Sequence, residues 1–194
     1  MKISEIQQQL KAQATEKAKK STLRFVPDAK KIYGNTMPQL NDLAKELAKK
    51  TSEVQDGFIL MNNLWKAGAF EEKILAAKLL NKFCKKQPLT AIEFVEKFSS
   101  DIDNWALCDS IGMQSLKPIN LKFQKEIFAL SKRLSASENF WQRRLSLVLL
   151  EDFCKQKELH DEIKKRIALR KNDPEYYMKK AVLWLEASLN KKRN

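Results

Sequence analysis

Apolar residues recur every three to four positions along almost the whole chain, which is the spacing of one buried face of an α-helix. A first basic amphipathic helix is predicted from about Lys2 to Lys20. Further helices are predicted from Met37-Pro38, over Val54 to Trp65 with Gly68 as C-cap, and over Phe70 to Lys85. No segment reads convincingly as a β-strand. The pattern therefore predicts an all-α fold.

An internal repeat organises these helices. The segment from Phe70 to Cys84 matches the segment from Phe140 to Cys154 at a constant offset of 70 residues. Trp105 lies halfway, 35 residues after Phe70, and Tyr176 lies 36 residues after Phe140. A repeating helix pair of about 35 residues therefore fits all four anchors. The signature of tetratricopeptide repeats, which have a similar period, is missing. We therefore expect a single domain over residues 1–194, built as a HEAT-like helical-repeat solenoid with a basic concave face.

One position of this repeat changes character from unit to unit. The fifth residue of each anchored helix is Ile74, Asp109, Arg144 or Lys180. Equivalent helices of a stacked array face the same way, so these four side chains are expected in one row. A row inside the core would have stayed apolar. The row is therefore predicted to lie on a functional surface.

Charge points to an acidic partner. Lys and Arg number 37 against 24 Asp and Glu, a formal net charge of +13, while 43% hydrophobic residues is an ordinary globular fraction. The excess positive charge must therefore lie on a folded surface, where a nucleic-acid backbone and an anionic membrane surface compete as partners.

Several classes of site are disfavoured by composition. The four glycines are scattered, which argues against a phosphate-binding loop or a dinucleotide fingerprint. Three separated cysteines and one histidine do not suggest a zinc site, so we expect no metal and no cofactor. No apolar stretch is long enough for a membrane span, and the expected location is the cytoplasm.

An aromatic ring and a carboxylate are predicted side by side. Trp105 and Asp109 are spaced i, i+4 on a short helix, for which Asp103 or Asn104 is a suitable N-cap. Trp184 follows Lys180 by four residues, so these two side chains should also lie on one face of a helix. The alternative interpretation is a buried indole and a solvated surface acid.

Two consecutive arginines follow Trp141, and they differ in direction. Arg143 and Arg144 are about 100° apart around a helix, so at most one of them can point into a given groove. Arg144 shares the row of Asp109 and Arg143 does not. A guanidinium group suits phosphate, although it could equally pair with Asp109 or another acid.

Six short motifs together resemble one family. They are Tyr33-Gly34 with Met37-Pro38-Gln39-Leu40, Leu64-Trp65-Lys66-Ala67-Gly68, Glu72-Lys73-Ile74-Leu75-Ala76-Ala77, Trp105-Ala106-Leu107-Cys108-Asp109, Trp141-Gln142-Arg143-Arg144 and Lys180-Ala181-Val182-Leu183-Trp184. In this order and spacing they resemble the AlkD-like DNA alkylation repair glycosylases. The resemblance implies a HEAT-like solenoid that holds duplex DNA on its concave face and releases N3- or N7-alkylated purines.

The resemblance also assigns roles. It places the catalytic aspartate at Asp109, flanking tryptophans at Trp105 and Trp184, and a DNA-binding arginine at Arg144. We expect Arg143, Lys180 and Trp141 to bind DNA beside them. Asn41 departs from the pattern, because the family usually has a basic residue there.

The sequence thus predicts a monomeric, monofunctional alkylpurine DNA glycosylase of base excision repair, associated with the nucleoid through DNA. Two other interpretations stay open. The chain could be a non-catalytic HEAT-like protein that binds duplex or branched DNA, or a scaffold that binds an acidic protein.

Overall fold

The computed structural model describes residues 2–191, and within that range the chain forms eleven α-helices and no β-strand. The all-α prediction is confirmed. The described part of the chain also contains short π-helical and 3₁₀ segments: Ser110–Ser115, Lys117–Ile119, Glu151–Lys155 and Lys157–Leu159.

The helices form two layers in a repeat-like stack. The layer that carries the candidate site, called the front layer, consists of α3 (Met37–Lys50), α5 (Phe70–Phe83), α7 (Trp105–Asp109), α9 (Phe140–Val148) and α11 (Tyr176–Asn190). The back layer consists of α1 (Ile3–Gln13), α4 (Val54–Ala67), α6 (Pro88–Ser99), α8 (Gln124–Ser135) and α10 (His160–Ala168). Each front helix packs on its neighbours in the layer, and α4 with α5, α8 with α9 and α10 with α11 form front-to-back pairs. One continuous apolar core fills the space between the layers.

The predicted period sets the start of every later front-layer helix. Phe70, Trp105, Phe140 and Tyr176 are the first residues of α5, α7, α9 and α11. Equivalent side chains of these helices therefore fall at equivalent positions along the layer. The repeat assignment is confirmed.

The N-terminal prediction is wrong in one respect, because the single helix expected from Lys2 to Lys20 is two helices. α1 ends at Gln13, and α2 (Glu16–Phe25) begins after Thr15, whose hydroxyl accepts a hydrogen bond from the Ala18 N–H at 3.2 Å. A threonine in extended conformation at an N-cap starts a new helix because its side chain satisfies a free backbone donor. The break lets α2 cross the N-terminal ends of α3, α5 and α7.

Two buried glutamates attach this N-terminal pair to the stack. The Glu71 carboxylate accepts hydrogen bonds from the backbone N–H groups of Tyr33, Gly34 and Asn35 at 3.0, 2.7 and 3.2 Å. Glu72 accepts the Tyr33 hydroxyl at 3.0 Å, and burial together with this carboxylate raises the pKa of Tyr33 to about 12. The loop that follows α2 is therefore fixed to the first turn of α5.

Candidate functional site

A groove with a volume of about 670 Å³ lies between α2 and the N-terminal halves of α3, α5 and α7. We call it the main groove. Its exposed surface is mainly apolar, and its lining also includes several small polar side chains, one lysine and one carboxylate; the residues used below are Phe25, Phe70, Ile74, Trp105, Asp109 and Gln114. A cleft with a mainly apolar surface and a few placed charges is the usual form of a ligand site.

Asp109 is held at a change of helix type. The Asn104 side chain caps α7 by accepting the Leu107 N–H at 3.0 Å, and Asp109 is the last residue before the π-helical segment. That segment approaches α9 closely at Gly112, where an added Cβ would lie 2.5 Å from Val148 Cγ1. π-Helical turns are often found at functional sites, because they redirect side chains within a helix.

Asp109 and Arg144 form an ion pair across neighbouring front-layer helices. Arg144 Nη2 donates to Asp109 Oδ1 at 2.8 Å, and Nη1 donates to the Tyr177 carbonyl at 2.8 Å. The Arg144 side chain is 8% exposed, whereas that of Asp109 is 27% exposed. Within residues 2–191 the second oxygen of Asp109 accepts no hydrogen bond, so this carboxylate is oriented on one side and open on the other.

Burial and Arg144 shift the pKa of Asp109 in opposite directions. Burial raises the pKa of the Asp109 carboxyl, and the Arg144 charge and hydrogen bond partly offset that rise. Arg144 Nε is buried and has no acceptor in the described part of the chain. A buried donor without an acceptor is costly.

A second, smaller cavity of about 310 Å³ adjoins the first. We call it the side chamber, and its lining is aromatic and basic: Phe25, Trp105, Arg144, Tyr176, Tyr177 and Lys180. Lys180 Nζ lies 4.9 Å from the centroid of the Tyr176 ring. The side chamber therefore offers two cations and several ring faces without a carboxylate in its lining.

Phe25 and Trp105 line both cavities and separate them. The Trp105 indole N–H donates to the Phe25 carbonyl at 3.0 Å, a contact between residues 80 positions apart. A second contact joins the loop after α2 to α11, where the hydroxyl of Tyr177, a residue of the side-chamber lining, donates to Asp28 at 3.0 Å. Burial and the Asp28 carboxylate raise the pKa of Tyr177. The end of α2 and the loop after it thus fix the edge of the Trp105 ring.

The row predicted from the repeat lies along these cavities. Ile74 and Asp109 line the main groove, and Arg144 and Lys180 line the side chamber. The row therefore begins with the apolar Ile74, continues with the Asp109–Arg144 ion pair and ends with the cation Lys180.

Three other predicted site residues lie elsewhere. Trp184 is half-buried on α11 against the core and lines neither cavity. Trp141 is buried, with its ring centroid 5.0 Å from that of Tyr177. Arg143 points away from Arg144 and pairs with Asp173 at 2.7 Å, as expected from the angle between consecutive residues.

Sequence reasoning did not assign a role to three of the lining residues. The repeat identifies Tyr176 only as an anchor and gives Tyr177 no role, although paired aromatics beside a lysine are a signal for nucleic-acid contacts. Phe25, 64% exposed, gave a weaker signal as a large aromatic residue at the end of a basic helix. Its contact with Trp105 had no local signature.

Within residues 2–191, no three Cys, His, Asp or Glu side chains are grouped as a metal site would require. Over the same range, every helix is too short or too polar to span a bilayer.

Comparison with known families adds the remaining evidence. A family model described as DNA alkylation repair enzyme matches residues 6–192, which includes both cavities and every front-layer helix. No individual curated protein matches the chain. On the extent of the family match, the chain belongs to the DNA alkylation repair enzyme family.

Proposed function

We propose that this member of the family is a monofunctional DNA glycosylase, which hydrolyses the N-glycosidic bond of cationic N3- or N7-alkylated purines in duplex DNA. The observation that carries the proposal is the state of Asp109. Its carboxylate lies beside Trp105 in the main groove, with one oxygen held by Arg144 and the other open.

The reaction needs a negative charge near the sugar more than it needs a general acid to protonate the leaving base. Alkylation at N3 or N7 makes the purine positively charged, so the bonding electron pair can leave with N9 and neutralise the base. The sugar then becomes oxocarbenium-like, and water adds at C1′ while its proton passes to solvent. A fixed carboxylate near the sugar lowers the energy of that state.

Asp109 and its neighbours fit this demand. A pre-oriented charge of this kind contributes roughly 10²–10³ in rate. Arg144 opposes the effect of burial on the Asp109 pKa and so favours the ionised form of the carboxylate. The fixed face of Trp105 would stabilise a cationic base or sugar by about 0.5–2 kcal/mol.

The two cavities fit two parts of one nucleotide. Phe70 and Ile74 make the main groove apolar beside Asp109, which suits a base. Arg144 and Lys180 in the side chamber suit the adjacent phosphate. Trp184 lies one turn after Lys180 on α11 and lines neither cavity. Contact between its ring and the DNA stays a prediction.

The experiment is release of alkylated purines from methylated duplex DNA, measured by chromatography under single-turnover conditions with protein in excess. Wild-type protein should release N3-methyladenine or N7-methylguanine. Asp109→Asn keeps an acceptor for Arg144 and should release them roughly 10²–10³ times more slowly, while it still binds the duplex.

Asp173→Asn is the matched control, because Asp173 also pairs with an arginine but lines neither cavity. It should release purines at the wild-type rate. Equal release by Asp109→Asn would reject the role of Asp109. Binding without release by the wild type would identify a non-catalytic DNA-binding protein instead.

A further inference from the structure

One acidic contact at the rim of the side chamber has no part in the mechanism above. The Asp28 carboxylate accepts a hydrogen bond from the Tyr177 hydroxyl at 3.0 Å, and this contact is open to solvent. Tyr177 lines the side chamber, in which Arg144 and Lys180 suit a phosphate. We call the hydrogen bond between Asp28 and Tyr177 the rim contact. It places a negative charge beside a site that suits an anion.

Within residues 2–191, the charge of Asp28 is not paired with a cation. Asp28 forms no ion pair in that range, whereas Asp109 is paired with Arg144 at 2.8 Å. Burial and the Asp28 carboxylate raise the pKa of Tyr177, and the Arg144 charge lowers it, so the Tyr177 hydroxyl lies within the fields of both groups. Asp28 and a phosphate bound at Arg144 would therefore repel each other.

The side chain of Asp28, rather than its backbone, is the part of the rim contact that is free to move. Val26 and Ala29 on either side of it are buried in the core, and the Ala29 N–H donates to the Val26 carbonyl at 3.0 Å. Asp28 itself is exposed, and exposed side chains change rotamer within nanoseconds. Rotation of this one side chain releases the Tyr177 hydroxyl while α2 stays in place.

We propose that Asp28 is an autoinhibitory gate of the side chamber. In the DNA-free protein its carboxylate holds the Tyr177 hydroxyl, and an entering phosphate displaces the carboxylate and becomes the acceptor of that hydroxyl. The identity of the entering anion as a DNA phosphate rests on the proposed function. Because only molecules with an open rim contact are competent to bind, closure lowers the apparent affinity in proportion to the open fraction.

The test is the rate constant of association with undamaged, fluorescently labelled duplex DNA, measured by stopped-flow anisotropy. Asp28→Asn keeps the size of the side chain and an acceptor oxygen, but it replaces a charge-assisted hydrogen bond by a weaker neutral one. It should accelerate association and tighten binding by roughly threefold to tenfold. Tyr177→Phe should also associate faster, because it has no rim contact. It should dissociate faster than wild type as well, because the phosphate loses a donor.

The same substitution in the Tyr177→Phe protein separates the gate from a general effect of charge. Since the rim contact is already absent there, Asp28→Asn should accelerate association much less than it does in the wild-type background. Glu16→Gln is the matched control, because it removes the same charge from an exposed position on α2 that lines neither cavity. It should associate at close to the wild-type rate.

Two results would overturn the gate: equal acceleration by Asp28→Asn in both backgrounds, or equal association rates for wild type and Asp28→Asn. Failure of the wild type to bind the duplex would reject both the DNA ligand and the gate. Because undamaged DNA reports no turnover, gated association without purine release would support the gate while rejecting the glycosylase.

Discussion

Arg144→Met tests whether the site is built around one buried cation. The substitution fills a similar volume but removes both the donor to Asp109 Oδ1 and the donor to the Tyr177 carbonyl, each at 2.8 Å. Loss of one partner of a buried pair usually costs about 3–5 kcal/mol, because the other charge is left uncompensated. Since the Asp109 side chain is 27% exposed, water restores part of its solvation.

The expected loss of unfolding free energy at pH 7 is therefore about 3 kcal/mol, at the lower end of that range. For a chain of this size, each kcal/mol lowers Tm by about 2–4 °C, so the melting temperature should fall by roughly 6–12 °C. The domain should still fold, since ordinary domains are stable by about 5–15 kcal/mol.

The loss should depend on pH in a definite direction. The Asp109 pKa is raised above its ordinary value of 3.8 in the folded protein, and removal of Arg144 raises it further. The folded state then binds more protons than the unfolded state, so stability falls as pH rises from 3.8 through the raised pKa. The variant is thus penalised most at neutral pH, and the ionic part of the penalty disappears once Asp109 is protonated in both states.

This difference is measured by urea unfolding of wild type and Arg144→Met at about pH 7, 5.5 and 4.5. Contributions from other titrating groups are common to both proteins and cancel in the difference of their unfolding free energies. The double variant Asp109→Asn, Arg144→Met is the control, because with a neutral side chain at position 109 the effect of Arg144→Met should be independent of pH. A penalty that stays constant on acidification in the single variant would refute the reasoning.

Three further results are expected. Glu71→Ala, which leaves three backbone N–H groups without their acceptor, should lower the unfolding free energy by about 3–5 kcal/mol in urea titrations, while the exposed Glu93→Ala should not. Gly112→Ala should cost about 1–3 kcal/mol by overpacking, and Val148→Ala in the same chain should restore part of it. If the proposed reaction is correct, its rate should fall on acidification at a pH above the ordinary pKa of an aspartate, as a single-turnover pH profile would show, because burial raises the pKa of Asp109.

Repetition explains why much of the fold could be predicted. Phe140 and Tyr176 could be identified as helix starts because a stacked helix pair repeats both its length and its buried face. The same reasoning placed Asp109 and Arg144, 35 residues apart, in one row on adjacent helices, where they form an ion pair. Contacts of this kind are local in the repeat even though they are distant in sequence.

The N-terminal unit could not be predicted in this way, because it lies outside the repeat. The break before Thr15 had a signal, a threonine followed by a glutamate, which the strong basic periodicity concealed. The contact of the Trp105 indole with the Phe25 carbonyl had none, since a backbone acceptor can come from any residue type. Its position depends on the Glu71 anchor, whose buried carboxylate could not be distinguished in sequence from an ordinary first-turn acid.

The same limit accounts for the difference between Arg143 and Arg144. The sequence indicated that at most one of the two could point into a given groove, because consecutive residues diverge by about 100° around the helix. It could not supply the acid that holds the other, since Asp173 lies in the loop before α11 and pairs with Arg143 away from both cavities. Each arginine therefore has its own carboxylate, but only Asp109 opens into the main groove, and this difference in access makes Asp109 rather than Asp173 the acid available for chemistry.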